Sequence, residues 1–256
     1  MSSIDPMSLS TPRPSPRVSG TSGTPSAQNT RNNQHTPATA ATTTWASVTG
    51  ADPEHSQRYI ARWEAIEGGG GDIDGEARLI DAMAPRGARI LDAGAGTGRV
   101  AAHLSALGHQ VSAVDIDPQL VAYARQRYTD AEESVGLPVA WHTGDLAEES
   151  EVPAGPFDLI VSAGNVLAFI PDAAHRQALG VLASRLDDAG RLVVGFGLQR
   201  GRSLDAFRQD ATAAGLQVSQ MFAGWDLQPF TESSDFLVAV LVRALGGNET
   251  TQAGER

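Results

Sequence analysis

The sequence predicts an α/β fold in which a doubly wound sheet of seven strands is mostly parallel and ends in an antiparallel C-terminal hairpin. Short runs rich in Val, Ile and Leu alternate with stretches of helical periodicity over residues 45–245. This alternation is typical of a parallel sheet covered by helices on both faces. The last two apolar runs have no helix-length pattern between them, so they are expected to pair antiparallel.

The individual elements follow from local patterns of apolar residues and from the residues that end them. Strands are predicted at residues 88–91, 110–114, 138–142, 157–162, 191–196, 216–222 and 236–242. A helix over residues 97–107 ends at Gly108, and Asp117 before Pro118 is predicted to cap the next helix. Leu179, Leu182, Ala183 and Leu186 are predicted to share one helix face. Ser203 is expected to cap a final helix.

Composition divides the chain into one domain and two tails. Residues 1–44 consist mostly of Ser, Thr and Pro with few large apolar side chains, which predicts disorder. Residues 45–245 are predicted to form a single domain of ordinary size, and residues 246–256 a polar tail.

The charge balance and two missing residue types narrow the possible functions. The net charge is -11, every basic residue is Arg, and the chain contains neither Lys nor Cys. A Schiff-base lysine, a thiolate nucleophile and a Cys-ligated metal are therefore excluded. The acidic balance argues against a nucleic-acid partner, and the apolar runs are too short to cross a membrane. We expect a cytoplasmic protein with no metal site, either a monomer or a homodimer.

A glycine-rich turn between the first strand and the following helix is the strongest functional signal. Asp92 ends the strand, and Gly94, Gly96 and Gly98 follow at alternate positions. Glycines let the chain turn sharply and approach a ligand without obstruction by a Cβ atom. The helix start adds free N–H groups beside the turn. In an open α/β sheet, ligands bind outside the carboxyl ends of the strands.

Two further acids follow the second and third strands. Asp115, next to Ile116, can accept two hydrogen bonds from a ribose diol. Because Asp117 is the better helix cap, Asp115 is interpreted as having no structural role. Asp145, next to Leu146, follows the third strand. Three acids after three successive strands are expected to line one edge of the sheet.

At these residues the chain resembles the class I S-adenosylmethionine-dependent methyltransferases. Their first motif, an acid followed by alternating glycines, matches Asp92 through Gly98, and their Phe-Asp-apolar fourth strand matches residues 157–161. The resemblance implies a Rossmann-like fold and S-adenosyl-L-methionine as cofactor. It assigns Asp115 to the ribose, Asp145 and Leu146 to the adenine, and residues 45–85 to a helical lid over the cofactor.

The main competing interpretation is a nicotinamide-dependent oxidoreductase, because residues 96–101 satisfy G-x-G-x-x-A. That register begins four residues after Asp92, too late for a turn that leaves the strand. A carboxylate at position 92 would also repel a pyrophosphate but suits a cationic cofactor. A non-catalytic protein that binds the same cofactor is a further alternative.

The acceptor is predicted to be a small molecule, because no inserted substrate domain fits within about 200 residues. The acceptor is expected to bind against the residues just after the fourth strand. Ser162, at the end of that strand, is also expected to border the cofactor. Asn165 is the candidate for orienting the nucleophile, against the alternative of a turn residue. His175 and His142 are the candidate bases: His175 against the alternative of a solvated helix histidine, and His142 against the favoured interpretation of a buried structural histidine. Arg200 and Arg202 are candidates for holding a carboxylate acceptor, against the favoured alternative of two solvated loop residues.

Overall fold

Seven strands form one sheet in the order β3-β2-β1-β4-β5-β7-β6 in a computed structural model that describes residues 44–128, 136–200 and 202–244. Strands β1 to β5 pair in parallel, and β7 pairs antiparallel with both β5 and β6. The predicted fold class is confirmed, including the C-terminal hairpin. Apart from Thr44, the two predicted tails lie outside the described residues.

The strands are β1 (Arg89–Ala93), β2 (Gln110–Asp115), β3 (Ala140–Thr143), β4 (Phe157–Ser162), β5 (Leu186–Gly197), β6 (Leu216–Phe222) and β7 (Phe236–Arg243). The helices are α1 (Trp45–Ala51), α2 (His55–Gly68), α3 (Gly75–Met83), α4 (Arg99–Ala106), α5 (Pro118–Tyr128), α6 (Val166–Phe169), α7 (His175–Arg185) and α8 (Leu204–Ala213). A short 3-10 turn, Asp172–Ala174, precedes α7.

Several predicted boundaries differ from those of the structure, and two of the differences have identifiable reasons. Leu186, predicted on a helix face, is the first residue of β5 and pairs with Phe157. The strand continues through residues 187–190, and its pairing with β4 shifts register between Phe157 and Leu159. In addition, β1 extends to Ala93, because Asp92 pairs with both Ala113 and Val161.

The core lies on both faces of the sheet, as alternation along the strands requires. On one face, β-strand side chains such as Leu91 and Ile160 pack against α6, α7 and α8. On the other face, Ile90 and Leu159 pack against α3, α4 and α5. Burial on both faces explains why the central strands read as nearly continuous apolar runs.

The order of the strands fixes the position of the site. The chain moves outward from β1 to β3, and then crosses back to place β4 on the other side of β1. The carboxyl ends of β1 and β4 therefore flank the crevice where ligands bind in such sheets. Within the described part of the chain, no helix is long and apolar enough to span a membrane.

Candidate functional site

The glycine-rich turn has the left-handed backbone that its sequence predicts. Gly94, Gly96 and Gly98 have φ values of 89°, 55° and 82°. A Cβ atom on Gly94 would overlap Val166 of α6, and one on Gly98 would overlap Trp141. A Cβ atom on Gly96 would lie 3.4 Å from the hydroxyl of Tyr59. Gly94 and Gly96 line the main pocket, whereas Gly98 faces the packed core on the other side of the turn.

Asp92, which precedes this turn, is hydrogen-bonded to the helix that follows it. Its side chain is buried, and Oδ2 accepts a hydrogen bond of 3.1 Å from the N–H of Ala101 in α4. Burial raises the pKa of the Asp92 carboxyl to about 7, although Arg99 acts in the opposite direction. Asp92 is not among the described residues that line the pocket.

Asp115 has a structural role that the sequence interpretation denied. One carboxylate oxygen accepts the N–H of Gly96 at 2.7 Å, and the other accepts the N–H of Asp117 at 2.9 Å. Burial nevertheless raises the pKa of Asp115 to about 6. The residue also lines the pocket, and a carboxylate has about four acceptor positions. It can therefore hold the turn and still accept hydrogen bonds from a ligand.

Asp117 connects the N-terminal helices to the carboxyl end of β2. Its Oδ1 caps α5 by accepting the N–H of Gln119 at 2.8 Å, which confirms the predicted cap. Its Oδ2 accepts hydrogen bonds from Trp45 Nε1 at 2.8 Å and from Ser56 Oγ at 2.5 Å. One buried carboxylate thus fixes α1 and α2 next to the pocket, a role that the sequence pattern did not reveal.

Aromatic side chains cover one side of the pocket. The ring of Trp45 lies edge-on to His55, Tyr59 and Phe169, with centroid distances of 5.0, 5.5 and 5.6 Å. Trp45, Tyr59 and Phe169 line the pocket. Thr44 caps α1 by accepting the N–H of Ser47 at 3.1 Å.

The end of β3 supplies a second acid beside apolar side chains. Asp145 lines the pocket and accepts the N–H of Ala147 at 2.9 Å. Leu146 is buried against the same pocket, and Ile116 lines it from the end of β2 with 44% of its surface exposed. Two acids and two aliphatic side chains therefore surround one end of the pocket.

The structure places the predicted catalytic residues behind the pocket wall. Asn165 is buried with a φ of 66°, and its Oδ1 accepts the N–H of Gly197 in β5 at 2.7 Å. His175 is also buried, and burial followed by Arg202 lowers its pKa to about 4. Ser162 is buried, and its hydroxyl has no hydrogen-bond partner among the described residues. None of the three is among the described lining residues.

The remaining candidates from the sequence lie elsewhere. His142 is exposed rather than buried, because β3 is the edge strand of the sheet. Arg202 is only 6% exposed and forms ion pairs with Asp172, at 3.6 Å, and with Asp210. Arg200 lies against Gly197. Neither arginine is among the described residues that line the pocket.

The residues present fit the cofactor that the resemblance implies. The pocket encloses about 970 Å³ when its open mouth is included. Gly96 leaves the space that a Cβ atom would fill. Asp115 keeps acceptor capacity suited to a ribose diol. Ile116 and Leu146 offer apolar surfaces suited to a flat base.

Comparisons with known proteins agree with this geometry. Residues 90–190 match the family model of a methyltransferase domain. A TehB-like SAM-dependent methyltransferase from Corynebacterium glutamicum is 44% identical, with a TM-score of 0.69, over 75% of this chain and 100% of that one.

Two curated relatives match over shorter stretches. An uncharacterized methyltransferase of Mycobacterium tuberculosis is 36% identical over 45% of this chain and 54% of its own length. The magnesium-protoporphyrin O-methyltransferase of Rhodobacter capsulatus is 31% identical over 50% of this chain and 53% of its own length. The chain thus spans about half the length of the curated relatives it matches.

The nicotinamide interpretation finds no support in these similarities. The full-length match to the Corynebacterium protein agrees instead with the sheet order and with the glycine-rich turn at the end of β1. The chain therefore belongs to the class I S-adenosylmethionine-dependent methyltransferase superfamily, with S-adenosyl-L-methionine as its cofactor.

Proposed function

We propose that the protein transfers a methyl group from S-adenosyl-L-methionine to a small-molecule acceptor. The observation that carries this proposal is one continuous pocket. It runs from Asp115 and Asp145 at the ends of β2 and β3 to an apolar wall after β4. The bound cofactor supplies a methyl group on a positively charged sulfur, which is already activated for transfer. The protein then contributes mainly proximity and alignment.

The residues predicted to serve the cofactor divide into those that line the pocket and those that lie behind its wall. We assign Asp115 to the ribose and Asp145, Ile116 and Leu146 to the adenine. Asp92, Gly98 and Ser162 support these positions from behind the pocket wall. Trp45 and Tyr59 cover the pocket and exclude water, which strengthens the electrostatic interactions inside it. A cytoplasmic location, and a monomeric or dimeric state, stay predictions.

Calorimetry and an acceptor screen test the function directly. S-adenosylhomocysteine should bind at one site per chain, and NAD should bind at least a hundredfold more weakly. Protein incubated with methyl-labelled cofactor and pooled small amines, thioethers, phenols and carboxylic acids should label at least one pool. Tighter binding of NAD would contradict the cofactor assignment. Cofactor binding without any labelled product would favour a non-catalytic binding protein.

We expect Asn165→Ala to reduce turnover about tenfold while the affinity for S-adenosylhomocysteine changes much less. The substitution removes the side-chain oxygen that accepts the Gly197 N–H. It also puts alanine at a positive φ, a backbone conformation that asparagine adopts more readily than alanine does. The adjoining pocket residues Ala163 and Gly164 should then shift. Steady-state kinetics with the acceptor from the screen would measure this loss.

Two conservative variants separate the possible reasons for that loss. Asn165→Asp keeps an oxygen acceptor and the tolerance of positive φ, so it should restore most of the turnover. Asn165→Gly keeps only the conformational freedom, so it should remain impaired. Unchanged kinetics in Asn165→Ala would show that the hydrogen bond to β5 does not position the pocket wall.

A further inference from the structure

The far end of the pocket has a different chemical character from the end assigned to the cofactor. Beyond Gly94, the wall consists of Val166 and Phe169 on α6, followed by Ile170 and Pro171, and the ring of Trp45 lies edge-on to Phe169. Val166 and Phe169 are partly exposed, whereas Leu167 and Ala168 between them are buried in the core. Spacing of three residues therefore turns one apolar face of α6 toward the pocket.

Trp45 is held firmly enough to act as a wall. The hydrogen bond from its Nε1 to Asp117 fixes the indole at one edge, and its edge-on contact with Phe169 has an interplanar angle of 88°. Its ring also contacts Tyr59, which lies over Gly96. Trp45 therefore contacts residues at both ends of the pocket. Its one polar group, the indole N–H, is already bonded to Asp117, so the ring presents an apolar surface to the pocket.

None of the described lining residues is an Arg or a His. Among the described lining residues, the ionisable side chains are Tyr59, Asp115 and Asp145. The two arginines that the sequence offered for holding an anion, Arg200 and Arg202, are not among the described lining residues. Arg202 is instead paired with Asp172 and Asp210. An anionic acceptor would lose its hydration against this apolar wall without a side-chain cation of the lining to pair with.

We propose that the acceptor is an uncharged, apolar small molecule seated against the apolar surface formed by Trp45, Val166, Phe169, Ile170 and Pro171. This inference rests on the proposed function and specifies its substrate class. Burial raises the pKa of the Tyr59 hydroxyl, so Tyr59 stays protonated at neutral pH and is no base. An acceptor that brings a lone pair free at neutral pH, as weakly basic amines and thioethers do, needs no base at this apolar end.

Binding to the protein saturated with S-adenosylhomocysteine tests this class without requiring turnover. Two probes of similar size, N-methylaniline and benzoate, are titrated separately and followed by NMR. We expect N-methylaniline to bind at least tenfold more tightly than benzoate. Equal or tighter binding of benzoate, or no binding of N-methylaniline, would overturn the proposal. If S-adenosylhomocysteine itself fails to bind, the proposed function fails first, and the acceptor inference fails with it.

Variants locate the probe within the pocket. Phe169→Ala should weaken N-methylaniline binding about tenfold, and Phe169→Leu, which keeps apolar volume, should weaken it less. The affinity for S-adenosylhomocysteine should stay within about twofold in both, which also shows that they fold. Phe230→Ala is the matched control, because Phe230 is partly buried but is not among the lining residues. Equal effects of Phe169→Ala and Phe230→Ala would place the acceptor elsewhere.

Discussion

Replacing Asp115 with alanine is expected to lower the affinity for S-adenosylhomocysteine roughly a hundredfold and to destabilise the fold by about 2–4 kcal/mol. The loss of affinity follows from two ribose hydrogen bonds to a charged group. The loss of stability follows because the N–H groups of Gly96 and Asp117 both lose their acceptor. Calorimetry and denaturant unfolding measure the two effects separately.

Asp145→Ala is the matched control for Asp115→Ala. Asp145 lines the same pocket, but its carboxylate accepts a single loop N–H, that of Ala147. We therefore expect a smaller loss of stability, about 1 kcal/mol.

Because the pKa of Asp115 is raised to about 6, the affinity of the wild-type protein for S-adenosylhomocysteine should also decline as the pH falls below about 6. An Asp115→Ala variant that is as stable as the wild type would contradict the structural role of Asp115.

The fold could be predicted because local patterns and tertiary packing agree along most of the chain. Central strands such as β4 are buried on both faces, so they read as apolar runs whatever surrounds them. The prediction was wrong where pairing overrides local pattern. Leu186 belongs to β5 because of its partner Phe157, and that pairing joins residues far apart in sequence.

The site could be predicted only where its residues stand in motifs. Gly94, Gly96 and Asp115 are fixed by their positions at strand ends, so their spacing indicated a pocket that they do line. Trp45 and Phe169 stand far from the motifs, and only the folding of α1 and α6 brings their rings to 5.6 Å from each other. The hydrogen bonds of Asp117 to Trp45 and Ser56 cross 72 and 61 residues, which no local pattern reveals.

Asp115 illustrates how a correct motif can hide a second role. The sequence contains two acids around β2's end, and the helix cap was rightly assigned to Asp117. The other acid was then taken to be free for a ligand. In the structure it accepts two backbone N–H groups and still faces the pocket. Backbone donors in a turn of positive φ leave no mark in the sequence, because every residue except proline carries one.

His175 also changes meaning once its surroundings are known. It begins α7 behind Ile170 and Pro171, and only 1% of its surface is exposed. Burial and the nearby Arg202 outweigh Asp172 and the backbone of Ile170, so its pKa falls to about 4 from 6.5. At neutral pH, His175 is therefore an uncharged side chain of the core, with its proton-binding ability suppressed by folding. This property predicts a pH dependence of stability rather than of catalysis.

We expect the wild-type protein to lose about 3 kcal/mol of stability through His175 as the pH falls from about 7 to 4. The unfolded state binds a proton near pH 6.5, whereas the folded state binds it only near pH 4, so acid favours unfolding throughout this window. His175→Leu should remove this part of the slope in denaturant unfolding measured from pH 7 to 4. His142→Leu is the control, since His142 is exposed on β3 and solvent screens its charge. An unchanged slope in His175→Leu would show that His175 is protonated in the folded state well above pH 4, and would return it to consideration as a base.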